Sequence, residues 1–279
     1  MLEKQNQKVG DNSTAIQVQG DYHGTTYAEI KEIFLDLFQL NFPKVQEIAA
    51  QTAQERINVM LEKLKSSFEK QKDSIDPSKF TEPAIQYEMQ AIAVDVARRG
   101  EKSNIELLCE LLTTVLSKDC PELIELISTE ARRVLPMLSK KHIAYLSLEV
   151  LVNEATVSNA ESEALNSTLK ETLKHISEAN NITLGDLQYI ACTGAIETRG
   201  VIIIGTVPMI VKSVDELKDK KLDELKELCD ERGFRSIKQL LDIMEKCGVG
   251  RYQLAAVGRL IGWLNLSQYS GVDVKTLFK

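Results

Sequence analysis

The chain has 279 residues, of which 43% are hydrophobic, 27% charged and 5% aromatic, and its 34 basic and 41 acidic residues give a formal net charge of −7. That length allows one large domain or two small ones, and the net acidic charge argues against a protein whose whole surface binds nucleic acid, although a local basic patch would still be compatible with it. The five scattered cysteines fit reduced thiols better than a disulfide framework, and residues 1–10 contain no apolar run typical of a secretory leader, so we expect a cytoplasmic protein.

The first 24 residues differ from the rest of the chain, because they are rich in Asn, Gln, Gly, Ser and Thr. Within them, Ile16 and Val18 alternate with Gln17 and Gln19, as the two faces of a strand would. A short, uncharged, β-prone stretch of this kind is typical of a steric zipper, in which identical strands stack. We therefore predict a short β-element at 1–24 that pairs between copies of the chain, through Asn12, Thr14, Ile16, Gln17, Val18, Gln19 and Gly20. The alternative is a strand folded on its own chain, or a disordered tail.

Residues 25–153 have the pattern of a helical bundle. Thr26 and Glu29 form a capping box ahead of an apolar stripe at helical spacing. Pro43 is typical of a first helical position, so we predict a second helix from there toward Lys72. Short connections favour antiparallel neighbours, and they separate four further helices, predicted from 83 to Gly100, from Ser103 to 117, from Asp119 to Val134 and from Ser139 to Val152.

The polar stretch 153–162 predicts a boundary, after which 154–279 forms a C-terminal helical domain. Its β-branched run from Gly200 to Gly205 predicts either a short buried strand or an apolar loop. Helices are predicted over 163–179, from Thr183, from Ser213 with Glu216 to Gly233, and from Ser236 to Gly248. The fold class is therefore mainly α.

Residue patterns that carry catalytic chemistry are missing from the sequence. The three histidines, His23, His142 and His175, stand apart, and there is no Cys-x-x-Cys, no Gly-x-Ser-x-Gly and no phosphate-binding loop. We interpret His142 as a satisfied or solvated imidazole early in a helix. The sequence thus predicts a non-enzymatic protein without a metal or cofactor.

Two alternative functions depend on the C-terminal half. The segment Tyr252-x-Leu254-x-x-x-Gly258 follows two capped helices and resembles the end of a winged-helix domain, which implies a nucleic-acid-binding regulator acting through 236–260. The helix from Ser236 to Cys247 is neutral, however, whereas a DNA-reading helix should be basic. We therefore favour a winged-helix-like packing unit without a nucleic-acid partner.

The second alternative is a membrane-permeabilising effector. The apolar run Val201–Val211 has 11 residues and contains Pro208, whereas a membrane span needs about 20 apolar residues. We therefore expect no membrane partner.

The N-terminal motif from Gly10 to Asp21 resembles the signature of a largely uncharacterised bacterial family. In that family a Gly-Asp-Asn-Ser-Thr-x-x-Gln-x-x-Gly-Asp-like segment precedes a helical body of similar length. Ile16-Gln17-Val18 is also similar to the homotypic motifs of amyloid signalling, including the RIP homotypic type. These resemblances imply a homo-oligomer or a protein that binds a protein partner, in a bacterial antiphage or stress response.

Overall fold

Helices make up most of the chain in a computed structural model that describes residues 27–71, 73–158, 161–199 and 207–270, with backbone alone over 27–45 and 268–270. Two short strands and four 3₁₀ helices, at Pro77–Thr81, Gly100–Ser103, Leu135–Met137 and Ser177–Asn181, complete the secondary structure of these residues, so the predicted mainly α class is confirmed. The predicted N-terminal β-element and the run from Gly200 to Gly205 lie outside the described residues. The helices are α1 (Tyr27–Lys70), α2 (Pro83–Arg99), α3 (Ile105–Val115), α4 (Glu122–Val134), α5 (Lys140–Asn153), α6 (Ser162–Ile176), α7 (Leu184–Cys192), α8 (Met209–Lys212), α9 (Leu222–Arg232), α10 (Arg235–Cys247) and α11 (Ala256–Ser270), and the strands are β1 (Ile196–Thr198) and β2 (Tyr252–Leu254).

The chain divides into two compact units, Met1–Gln51 and Thr52–Lys279. In the first unit the structure describes one element, residues 27–51 of α1. The predicted helix start at Pro43 is wrong, because α1 continues through this residue. Proline removes one backbone donor and crowds one carbonyl, and the hydrogen bonds of the turns on either side let a helix of 44 residues continue.

The core of the second unit is built around α5. Every residue of α5 from His142 to Val152 is buried, as expected for a helix covered on all sides. Helix α11 packs along it, and α6 and α8 pack against other parts of it. Gly262 permits this close approach, since a Cβ atom there would lie 2.7 Å from the carbonyl oxygen of Leu146.

Helices from both sides of the predicted 153/154 boundary share one hydrophobic core, because α11 contacts α3, α4 and α5. The core side chains run from Met60 to Leu266. The division into 25–153 and 154–279 stays a prediction.

Most predicted helix ends lie within a few residues of the observed ones. Helices α9 and α10 end at Gly233 and Gly248, whose φ angles of 71° and 63° are left-handed. The predicted start at Ser213 is wrong, because α8 ends just before it and α9 begins at Leu222. The Ser213 hydroxyl instead accepts a hydrogen bond from the Val157 N–H at 3.0 Å.

Strands β1 and β2 form an antiparallel pair in which Ile196 lies opposite Leu254 and Thr198 opposite Tyr252. The Tyr252-x-Leu254 segment is thus a strand, and its likeness to a winged-helix domain stays a prediction. Strand β2 also contacts α5, and this contact brings the loop before β2 next to a buried carboxylate on that helix.

Candidate functional site

The predicted assembly residues, Asn12, Thr14, Ile16, Gln17, Val18, Gln19 and Gly20, all lie outside the described residues. The structure therefore describes the helix that follows them in the chain rather than the residues themselves. That helix, α1, begins at Tyr27.

In the first unit, residues 46–51 of α1 are all exposed. Ile48 is the large apolar side chain among them, and 55% of its surface is accessible to solvent. It continues the helical spacing of the apolar residues that precede it in the sequence, Ile30, Ile33, Phe34, Leu37 and Phe38. An apolar stripe at helical spacing is typical of a helix that packs one face against another element.

In the second unit, α1 presents a shallow apolar groove that lies open to solvent. Leu61, Leu64 and Phe68 form its apolar lining, and Lys65 and Glu69 flank them with opposite charges. Leu61 is 51% exposed, whereas Leu64 is buried in the core. We call these five residues the α1 groove.

The residue types of a catalytic triad lie close together at Ser139, His142 and Asp186. Their contacts, however, hold the helix ends and do not activate the serine hydroxyl. The Ser139 backbone N–H donates to His142 Nδ1 at 3.2 Å, and His142 Nε2 lies 3.1 Å from Asp186 Oδ1. Both ring nitrogens are therefore engaged, and neither is available to activate the Ser139 hydroxyl. The interpretation of His142 as a satisfied imidazole is confirmed.

Asp186 holds the start of α5 to the start of α7. Its carboxylate accepts hydrogen bonds from Lys141 Nζ at 2.8 Å and from the backbone N–H of Thr183 at 2.8 Å, besides its contact with His142. Burial raises the pKa of Asp186, but these hydrogen bonds outweigh it and hold the pKa well below the usual value. The cluster stabilises the charged form of the carboxylate, which is the opposite of what a general acid requires.

Glu149 is a fully buried carboxylate that no sequence motif indicates. It accepts hydrogen bonds from Tyr145 Oη at 2.5 Å, from Asn153 Nδ2 at 2.7 Å and from the backbone N–H of Gly250, and Arg199 lies nearby. Burial raises its pKa to about 7, although these hydrogen bonds and Arg199 act to lower it. The only local signal was a glutamate within a strongly apolar helix, since Arg199 and Gly250 are distant in sequence.

Paired charges reduce the basic character of 236–260. Lys238 on α10 forms an ion pair with Asp230, and Arg259 Nε on α11 lies 2.6 Å from Glu154 Oε2. The same Glu154 oxygen accepts a hydrogen bond from Trp263 Nε1 at 3.0 Å. These contacts join elements of the fold, and they leave less positive charge for phosphate groups.

Metal-ligating side chains are not clustered in the part of the chain that the structure describes, where no group of three His, Cys, Asp or Glu residues could hold an ion. Among the described helices, none is both long and apolar enough to cross a membrane. All five cysteines are free thiols, and burial raises the pKa of Cys109 to about 12 and of Cys247 to about 11. Such thiols are protonated near neutral pH and are poor nucleophiles.

Comparison with known proteins identifies the family to which most of the chain corresponds. No curated protein and no solved structure matches the chain. A protein-family model matches residues 24–235, a region that begins after the Gly10–Asp21 motif and runs into α10. Because this match covers well over half of the 279 residues, the chain belongs to that family, which is uncharacterised.

Proposed function

We propose that this protein is non-enzymatic and assembles with copies of itself through its N-terminal segment, residues 12–20. In the assembled form this segment is a strand that pairs with the same strand of another copy. Ile16 and Val18 pack on the dry face, and the side chains of Gln17 and Gln19 form hydrogen-bonded ladders. The likeness of this segment to amyloid-signalling motifs is what supports a bacterial stress or antiphage setting.

The observation that carries the proposal is the exposed apolar side chain in the first part of α1, a helix that begins at Tyr27, shortly after this segment. Residues 46–51 are exposed, and they include Ile48 on an apolar stripe at helical spacing. A single amphipathic helix gains most of its stability by packing its apolar face against another element. A second copy of the chain would supply such an element next to the N-terminal strand.

The chemistry of the described residues supports a binding role over a catalytic one. The carboxylate of Asp186 is held in its charged form by hydrogen bonds, and both nitrogens of His142 are engaged. Buried Glu149 is surrounded by hydrogen-bond donors from its own chain. Each group therefore has a structural partner that accounts for its presence.

Light scattering coupled to size-exclusion chromatography tests the proposal. We expect the full chain to elute with a mass that is a multiple of 31.3 kDa and rises with concentration. A chain that begins at residue 25 should elute as a single copy, because the strand that joins the copies is gone. A full chain that elutes as one copy at every concentration, or a truncated chain that assembles equally well, would contradict the proposal.

Point variants test whether assembly depends on the side chains of the strand or only on the presence of the N-terminal residues. Ile16→Lys together with Val18→Lys places charge on the dry face and should abolish assembly. The matched control introduces the same two charges at Gln5 and Gln7, outside the interface, and should assemble like the unaltered chain. If both double variants assemble to the same extent, the packing of Ile16 and Val18 does not cause assembly.

A further inference from the structure

A cavity of about 130 Å³ lies between α2, α3 and α4, far along the chain from the predicted assembly segment. Its apolar lining includes Ile85 and Ile92 from α2 and Leu111 and Leu112 from α3. All four side chains are at least nine-tenths buried. An apolar cavity of about 150 Å³ holds a molecule as large as benzene, so this smaller one has room for an apolar group of at most about that size.

The charged residues of the lining are predominantly acidic. Glu82, Glu88 and Glu125 stand against Arg132, which gives a formal charge of −2 from three carboxylates and one guanidinium. Arg132 forms an ion pair with Glu88, and Lys79 Nζ lies 2.7 Å from Glu125. The side chain of Glu82 makes no ion pair or hydrogen bond within the described ranges, and it is exposed. With Lys79 counted beside Glu125 the formal charge is −1, and the unpaired carboxylate of Glu82 makes the lining favour a positive charge over a negative one.

Ser128 supplies a polar group in the same lining. Its side chain is 3% exposed, and its hydroxyl has no hydrogen-bond partner among the residues that the structure describes. A buried hydroxyl without a partner destabilises a fold, and alanine at the same position would avoid the penalty. A polar side chain that destabilises the fold and lines a cavity is typical of a binding site rather than of a hydrophobic core.

We propose that this cavity binds a small primary amine with a short apolar tail. The tail packs among Ile85, Ile92 and Leu111, and the ammonium group donates a hydrogen bond to the Ser128 hydroxyl. An ammonium has three donors and no acceptor, which suits the two hydroxyls and three carboxylates that line the cavity beside the Arg132 guanidinium. This site is independent of the N-terminal segment, so failure of either proposal leaves the other standing.

Benzylamine is the probe, titrated into the full chain and followed by NMR of isotope-labelled isoleucine and leucine methyl groups. We expect saturable shifts of the methyl signals of Ile85, Ile92 and Leu111 at millimolar concentration. Benzyl alcohol, which has the same ring without the charge, should bind at least tenfold more weakly, and benzoate should not bind. No shift with benzylamine, or equal binding of the alcohol or benzoate, would overturn the proposal.

Two substitutions and one control substitution test the residues that line the cavity. Ser128→Ala should weaken benzylamine binding at least fivefold and should raise the Tm of the protein without benzylamine, since it removes an unpaired buried hydroxyl. A lower Tm, or unchanged binding, would show that the hydroxyl serves packing instead. Ala84→Leu enlarges an exposed side chain of the lining and should abolish binding, while Gln90→Leu, at an exposed position of α2 outside the lining, should not. Equal effects of the two leucine variants would exclude this cavity as the site.

Discussion

Glu149 lies on α5 with every side of its carboxylate covered by protein, and its ionisation links the stability of the fold to pH. The pKa is 4.5 when the group is unperturbed and about 7 in the folded protein. Because the folded state binds the proton more tightly, this group's contribution is complete below about pH 4.5 and is lost as the pH rises through 7. The difference in pKa corresponds to a loss of about 3 kcal/mol.

The variant Glu149→Gln removes this pH dependence. At pH 5 it should be less stable than the unaltered protein, because its amide N–H groups meet the donors of Asn153 and Gly250. The difference should shrink by about 3 kcal/mol by pH 8, where the unaltered protein bears a buried charge. Urea unfolding at pH 5, 6, 7 and 8 measures the difference in stability between the two proteins. Glu163→Gln, at an exposed position, is the control. Parallel stability curves for the protein and Glu149→Gln would contradict the assignment.

Gly262 allows α11 to approach α5 closely, so a side chain at this position should weaken the packing of the two helices. A Cβ atom at this position would lie 2.7 Å from the Leu146 oxygen and 2.8 Å from Val150 Cγ2. Gly262→Ala should therefore destabilise the protein by about 1–3 kcal/mol through overpacking. At Gly185 on α7 the nearest atom is 3.8 Å away, and Gly185→Ala should stabilise the protein by up to about 1 kcal/mol. Equal shifts of the two urea midpoints would show that the packing at Gly262 is looser than these distances imply.

Among the secondary-structure elements, helix ends were predicted correctly where a capping residue acts on the backbone next to it. Ser139, Thr183, Gly233 and Gly248 mark helix ends both in the sequence and in the structure, because capping depends on backbone groups within a few residues. Ser213 and Glu216 have the same spacing but serve distant partners. The Glu216 carboxylate accepts a hydrogen bond from Ser162 Oγ at 2.6 Å and pairs with Arg232 at 2.7 Å.

Neither the hydrogen bonds around Glu149 nor the cavity could be predicted from the spacing of residues in the sequence alone. Glu149 meets Gly250 about a hundred residues later in the chain, and the cavity needs three separate helices. The sequence indicates that a residue is polar within an apolar helix, but the tertiary fold decides which group faces it. Ser128 is an example, since its hydroxyl is unremarkable until α2 and α3 are placed beside α4.

The contact between α5 and α7 depends on Asp186, which accepts hydrogen bonds from Lys141 and Thr183 and contacts His142. Asp186→Ala leaves these donors without their acceptor and should cost about 1–3 kcal/mol at pH 7. Because the pKa of Asp186 is lowered, its contribution is complete above the unfolded value of 3.8 and is lost only in stronger acid. Hydrogen exchange should become faster in α7 and stay unchanged in α9.

The control for this variant is Asp215→Ala. Asp215 is 97% exposed and pairs with Lys218 three residues away, so its removal should change stability by less than about 0.5 kcal/mol. Equal losses of stability for the two alanine variants would mean that Asp186 does not tie the two helices together.

At the scale of the whole molecule, the chain combines a second unit with a large shared core and a first unit whose described part is one helix. The family match begins at residue 24, close to the start of that helix, so the helix belongs to the family region and the Gly10–Asp21 motif precedes it. A first unit of this kind gains stability when a partner covers its apolar stripe. The N-terminal strand and α1 would then act together in assembly.

Ile48→Glu tests whether α1 contributes to assembly beyond the N-terminal strand. Burying an isoleucine side chain in an interface is worth about 1.5–3 kcal/mol, so this variant should raise the dissociation constant of the assembled form at least tenfold. Gln46→Glu adds the same charge at another exposed position of α1, two residues earlier, and should assemble nearly normally. Sedimentation velocity over a range of concentrations measures both constants. If Ile48→Glu assembles as tightly as Gln46→Glu, the stripe on α1 stays exposed in the assembled form, and the N-terminal strand alone joins the copies.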